Sequence, residues 1–69
     1  MSESIRISLK AARVNANLTM DAVCAALNVS KTTVFNWENG NSLPDADMAL
    51  KLSALYKLPL ENINFRRKS

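Results

Sequence analysis

The side chains able to do chemistry in this chain are few, and they favour binding over reacting. There is no histidine, one cysteine (Cys24), one glycine (Gly40) and two prolines in 69 residues. Without histidine, neither a Ser-His-Asp nor a Cys-His nucleophile can be assembled, and a Cys/His zinc site lacks its ligands. A single glycine cannot make a phosphate-cradling loop. No cofactor, no metal and no enzymatic activity is expected. The polar residues between Ser30 and Asn41 are hydroxyls, amides, one lysine and one glutamate, groups suited to exchanging hydrogen bonds with a partner.

Compartment and charge narrow the reading. One cysteine forms no internal disulfide, which fits a reducing, cytoplasmic setting. Apolar runs are short, so neither a membrane span nor a signal-peptide core is expected. Net charge is +3 and the pI about 9.4. Three of the nine Lys and Arg are Arg66, Arg67 and Lys68, and the six that remain balance the six acidic residues. The basic excess therefore sits in residues 66–69, a tail that serves either as a nonspecific phosphate anchor or as a solvated end. Residues 1–65 form the domain.

The elements that must position these groups are helices. No run of β-branched residues alternates with polar ones, so no strand is expected. Ile5, Leu9, Ala12 and Ala16 make the apolar stripe of a first helix over residues 4–16, beside a basic stripe of Arg6, Lys10 and Arg13. Thr19 caps a second helix whose first turn carries Asp21. Val23, Ala26 and Leu27 form its buried face, with Cys24 and Ala25 small enough for close packing. Asn28 tolerates the left-handed conformation that stops it. Ser30 caps a third helix, Lys31 to Glu38, with Val34 and Trp37 facing the core and Asn39-Gly40 ending it. Asp45 caps a fourth, from Ala46 to about Lys57, with Ala49, Leu52, Ser53 and Tyr56 inward. Pro59 breaks it, and a short fifth helix follows over residues 60–64. The expected fold is all-α: five compact helices, with the second and third crossing steeply across a three-residue turn.

The segment Leu18 to Gly40, above all LNVSKTTVFNWENG, with the later LKLSALYKLPLENI, resembles the phage repressor and Cro-like (XRE-type, lambda-repressor-like) helix-turn-helix DNA-binding domains. The resemblance covers about Leu9 to Ile63. It implies a bacterial or bacteriophage transcription regulator that binds double-stranded operator DNA with the third helix in the major groove. Lys31, Thr32 and Asn36 then point at base edges, with Lys31 suited to guanine, Asn36 to adenine, and Thr32 offering a hydroxyl or a methyl group. Phe35 either touches a thymine methyl or deoxyribose, or packs against the fourth helix. Phosphate contacts are implied for Thr19 and Met20 at the second helix's free N–H groups, and for Thr33, Asn39 and Asn41 across the groove. Met20 departs from the family, where glutamine usually grips a phosphate; methionine leaves only backbone N–H for that grip, or is simply a part-exposed helix-start residue. Arg13 and Glu38 correspond to an ion pair that ties the first helix to the third.

One short helix reads about four base pairs, so a homodimer on half-sites roughly 34 Å apart is expected. Leu60, Ile63, Phe65 and the Gly40–Pro44 turn are candidates for its contact, as are Leu50 and Leu55. The length fits either a complete Cro-like protein or the N-terminal domain of a longer repressor. The competing reading keeps the fold but makes it a protein-interaction module, such as an antirepressor or antitoxin. The even charge of residues 1–65 and the missing glutamine at Met20 favour it.

Overall fold

The computed structural model describes residues 6–65. Four α-helices account for most of them: α1 (Leu9–Asn15), α2 (Met20–Leu27), α3 (Lys31–Glu38) and α4 (Ala46–Tyr56). A 3-10 turn follows at Leu60–Asn62, and two-residue strands β1 (Ile7–Ser8) and β2 (Ile63–Asn64) pair in parallel, Ile7 opposite Ile63.

Every helix starts and stops by the same local chemistry. Ser8, Thr19, Ser30 and Asp45 are extended, and each side-chain oxygen accepts the N–H three residues on, from Ala11, Ala22, Thr33 and Met48. That bond satisfies a donor the first turn would otherwise leave free. The ends pass through a left-handed residue: Asn17, Asn28, Gly40 and Lys57, at φ of 61°, 58°, 75° and 57°. After α3, Gly40 N–H donates to Trp37 C=O and Asn41 N–H to Asn36 C=O, at 3.3 and 2.9 Å, so two carbonyls of the last turn find partners.

Four expectations need correction. The first helix begins at Leu9, because Ser8 caps it and Ile7 is drawn into the pairing with β2; Ser4 and Ile5 lie outside the described residues. Arg6 is thus off the helix, and the basic stripe dissolves. Two strands exist where none was expected, each too short to show alternation. In place of a fifth helix, three residues of 3-10 turn give way to β2, since Pro59 supplies no side-chain cap and β-branched Ile63 (φ −107°, ψ 127°) is extended against Ile7. Finally, Ala25 and Ala26 are exposed, so α2 buries only Val23 and Leu27. The tail Arg66–Ser69 lies outside the described residues.

The core joins Leu9 and Ala12 of α1, Val23 and Leu27 of α2, Val34 and Trp37 of α3, Leu52 and Tyr56 of α4, and Ile63. Cys24 packs against it as a small apolar group. At its edge Arg13 Nε donates to Glu38 Oε2 at 2.7 Å and Nη2 to Oε1 at 3.4 Å, while Nη1 donates to Leu18 C=O at 3.1 Å. The Arg13 and Glu38 side chains are 13% and 6% exposed. The hydrogen bond to Glu38 holds the Arg13 guanidinium above its ordinary range. One guanidinium thereby joins α1, α3 and the turn into α2.

Three outcomes follow from this packing. Glu38→Ala strands a largely buried guanidinium, at a cost of about 3 kcal/mol, and lowers Tm by roughly 15 °C in a domain of this size; an unchanged melting curve would refute the buried pair. Lys57 pays the steric penalty of a left-handed residue with a Cβ, so Lys57→Gly raises stability by about 1 kcal/mol in denaturant melts. Tyr56 is the single tyrosine, and burial, with Glu38's charge adding to it, pushes its phenol up to about 12. Because the folded value lies above that of the unfolded chain, the stability tied to the neutral phenol is complete below pH 10 and drains between pH 10 and 12. Absorbance at 295 nm should show tyrosinate forming late and together with unfolding. A midpoint near pH 10 in a chain still folded by circular dichroism would contradict this.

Candidate nucleic-acid interface

Asn28, Val29 and Ser30 are the whole connection between α2 and α3. Asn28 turns the chain by adopting the left-handed conformation, Val29 tucks against the core, and Ser30 restarts the helix. Val34 (1% exposed) and Trp37 (7%) then fix which side of α3 faces inward. The opposite side is set by helical spacing alone: Thr32 at its middle, Phe35 and Lys31 to one flank, Asn36 to the other. Lys31, Thr32 and Phe35 are exposed and Asn36 is half-buried. The structure therefore gathers the four expected base-reading residues on one face of α3. Phe35 is 51% exposed and stands apart from the hydrophobics that pack against the core.

The expected phosphate-facing residues fall into two groups. Thr19 Oγ1 accepts from Ala22 N–H at 3.0 Å, which leaves its hydroxyl hydrogen available to an anion. Met20 opens α2, its side chain half-buried and packed on the core. Any grip at this position therefore falls to backbone N–H groups of the first turn. On the other side, Thr33 Oγ1 and Ser30 Oγ lie 2.9 Å apart within the α3 cap. Asn39 Nδ2 donates to Phe35 C=O at 2.8 Å, and Asn41 Nδ2 to Asn36 Oδ1 at 3.4 Å. Asn39 and Asn41 are thus partly committed to the end of α3, and Asn41 holds the acceptor atom of Asn36.

One contact escaped sequence reasoning. Lys31 Nζ lies 3.1 Å from Asp21 Oδ1, linking the first turns of α2 and α3, with both side chains largely exposed. The two are ten positions apart, a separation with no meaning on a single helix, and only the steep crossing brings them together. In water such a pair is worth at most about 1 kcal/mol. Its consequence is that the single lysine of α3 faces a carboxylate when no other anion is present.

Four candidates for self-association change status, and two of them, Leu55 and Phe65, are half-buried against the core. Ile63 is 3% exposed and belongs to the core, and Gly40 is buried. Leu43, Leu50 and Leu60 are 44%, 58% and 38% exposed. Among the described residues no helix is long and apolar enough to cross a membrane.

One comparison with known proteins, that with family models, matches the same segment. The comparison with curated proteins and that with solved structures return no match. The helix-turn-helix family matches residues 9–63, from the first residue of α1 to the first of β2. The match takes in all four capped helices and the three-residue turn between α2 and α3, and the chain belongs to the XRE-type helix-turn-helix family of DNA-binding regulatory domains.

Proposed function

We propose that this chain is a sequence-specific transcription regulator of the repressor or Cro-like kind, binding operator half-sites as a homodimer with α3 in the major groove. The observation that carries the reading is the outer face of α3, where Lys31, Thr32, Phe35 and Asn36 lie together in a family of DNA-binding domains. Lys31 donates to guanine O6 and N7. Asn36 pairs with adenine once its Oδ1 is released by Asn41, and Thr32 and Phe35 cover the base step between. Thr19 and the first-turn N–H groups at Met20 hold a phosphate on one strand, with Thr33, Asn39 and Asn41 on the other. Guanine O6 and N7 replace Asp21 as the partner of Lys31, and the exposed pair costs little to break. Leu43, Leu50 and Leu60 offer apolar surface for the second copy. The working place of such a protein is the bacterial nucleoid, in a bacterium or under a resident phage.

A second reading, a protein-interaction module of the antirepressor or antitoxin kind, draws support from the even charge of residues 1–65 and from a shallow, mainly apolar recess lined by Ala26, Leu27, Lys51, Ala54 and Leu55.

Selection from a random duplex library separates the two. An enriched palindrome, with half-site centres about one helical turn apart, is the expected result; no retention at modest salt supports the protein-interaction module. On the selected site, log K should fall steeply with log salt, each neutralised phosphate adding about 0.9 to the slope. A flat dependence would count against DNA as the ligand. Lys31→Ala should weaken binding by about 1–3 kcal/mol and relax preference at one base pair per half-site.

A further inference from the structure

Phe35 is the one residue of the α3 outer face whose side chain can neither donate nor accept a hydrogen bond. It follows Thr32 by three positions, so the phenyl ring and the threonine methyl are neighbours on the helix surface. Polar groups border them: Lys31 before, Asn36 beside and Asn39 after. The backbone beneath is held firmly, with Phe35 C=O accepting both the N–H and the Nδ2 of Asn39, at 3.0 and 2.8 Å. Val34 and Trp37 fill the inner side, which leaves the half-exposed ring on the outer one. An apolar spot is thereby set into a surface otherwise made for hydrogen bonding.

The edges of base pairs in the major groove are mainly donors and acceptors, and the one apolar group larger than a C–H on an unmodified base is the C5-methyl of thymine. A phenyl ring laid over any other edge buries polar atoms without partners, which is unfavourable. Resting on the reading of α3 as the DNA-binding helix, we infer that Phe35 reads a 5-methylpyrimidine: each half-site carries thymine beneath Phe35, and 5-methylcytosine is bound there in preference to cytosine. Phe35 is then a specificity-determining residue whose ligand is a methyl group, and binding responds to cytosine methylation at that position.

The test uses the full chain and the duplex enriched by selection. Each thymine is replaced by uracil in turn, which removes the methyl group and keeps every hydrogen bond of the pair. Wild-type protein should lose about fourfold in affinity at one position per half-site, the value of one buried methyl group. Cytosine placed there, opposite guanine, should bind more weakly than 5-methylcytosine by a similar factor. In Phe35→Ala both differences should vanish, and Phe35→Gln, which keeps a good helix former, gives the same readout should the alanine variant fold poorly. The inference is overturned if no uracil substitution changes wild-type affinity, or if the sensitivity persists unchanged in the variants. A uniform loss in the variants without uracil sensitivity assigns Phe35 to deoxyribose instead. If the library yields no enriched duplex, the DNA reading falls and this inference with it; a palindrome indifferent to uracil leaves that reading standing and removes only the role of Phe35.

Discussion

The structure depends on one guanidinium. A domain this small buries few side chains, and three short helices must be held at fixed angles by contacts between elements distant in sequence. Arg13 supplies one at the edge of the core, between α1, α3 and the turn into α2. Its planar fork meets both oxygens of Glu38 and still has a donor left for Leu18 C=O. The arrangement is geometric as well as energetic, because a bidentate pair tolerates little rotation of one helix against the other. That pair ties the end of α3 to α1.

Local chemistry does a different job. Four side-chain caps and four left-handed residues mark where each α-helix begins and ends. Helices of seven or eight residues are marginal in water by themselves, so the caps set their bounds while core packing keeps them folded. Packing then selects the faces: Val34 and Trp37 are enough to turn α3, because two anchors one turn apart leave a single orientation that buries both. Lys57 is the exception to economy here. It occupies a left-handed position without being Asn or Gly, and it does so because Leu58 must turn back over Ser53 for the chain to reach Ile63.

The outer face of α3 is more pre-set than a list of polar residues implies. Asn39 and Asn41 brace the end of the helix, Thr33 is engaged with Ser30, and Lys31 has Asp21 opposite. These contacts are weak and solvent-exposed, so each can be exchanged for another at little cost. Such exchange suits recognition, in which discrimination comes from differences between alternatives of similar cost.

What the sequence determined by itself was whatever is encoded within a helical turn or two: the caps at Thr19, Ser30 and Asp45, the stop at Asn28, the Gly40 turn, and the inward Val34, Trp37, Leu52 and Tyr56. The outer face of α3 was legible for the same reason, since it is the complement of the inward one. The Arg13–Glu38 pair was legible only through the family's pattern, because nothing in local spacing relates two residues on different helices. Tertiary structure alone decided the rest. Strands of two residues carry no periodicity, so the pairing of Ile7 with Ile63 exists only once the fold has brought the two segments together. That pairing removed the start of the first helix and the second half of the expected fifth. Ala25 and Ala26 were left outside because α2 needs only Val23 and Leu27 against the core, and Asp21 met Lys31 only because α2 and α3 cross steeply.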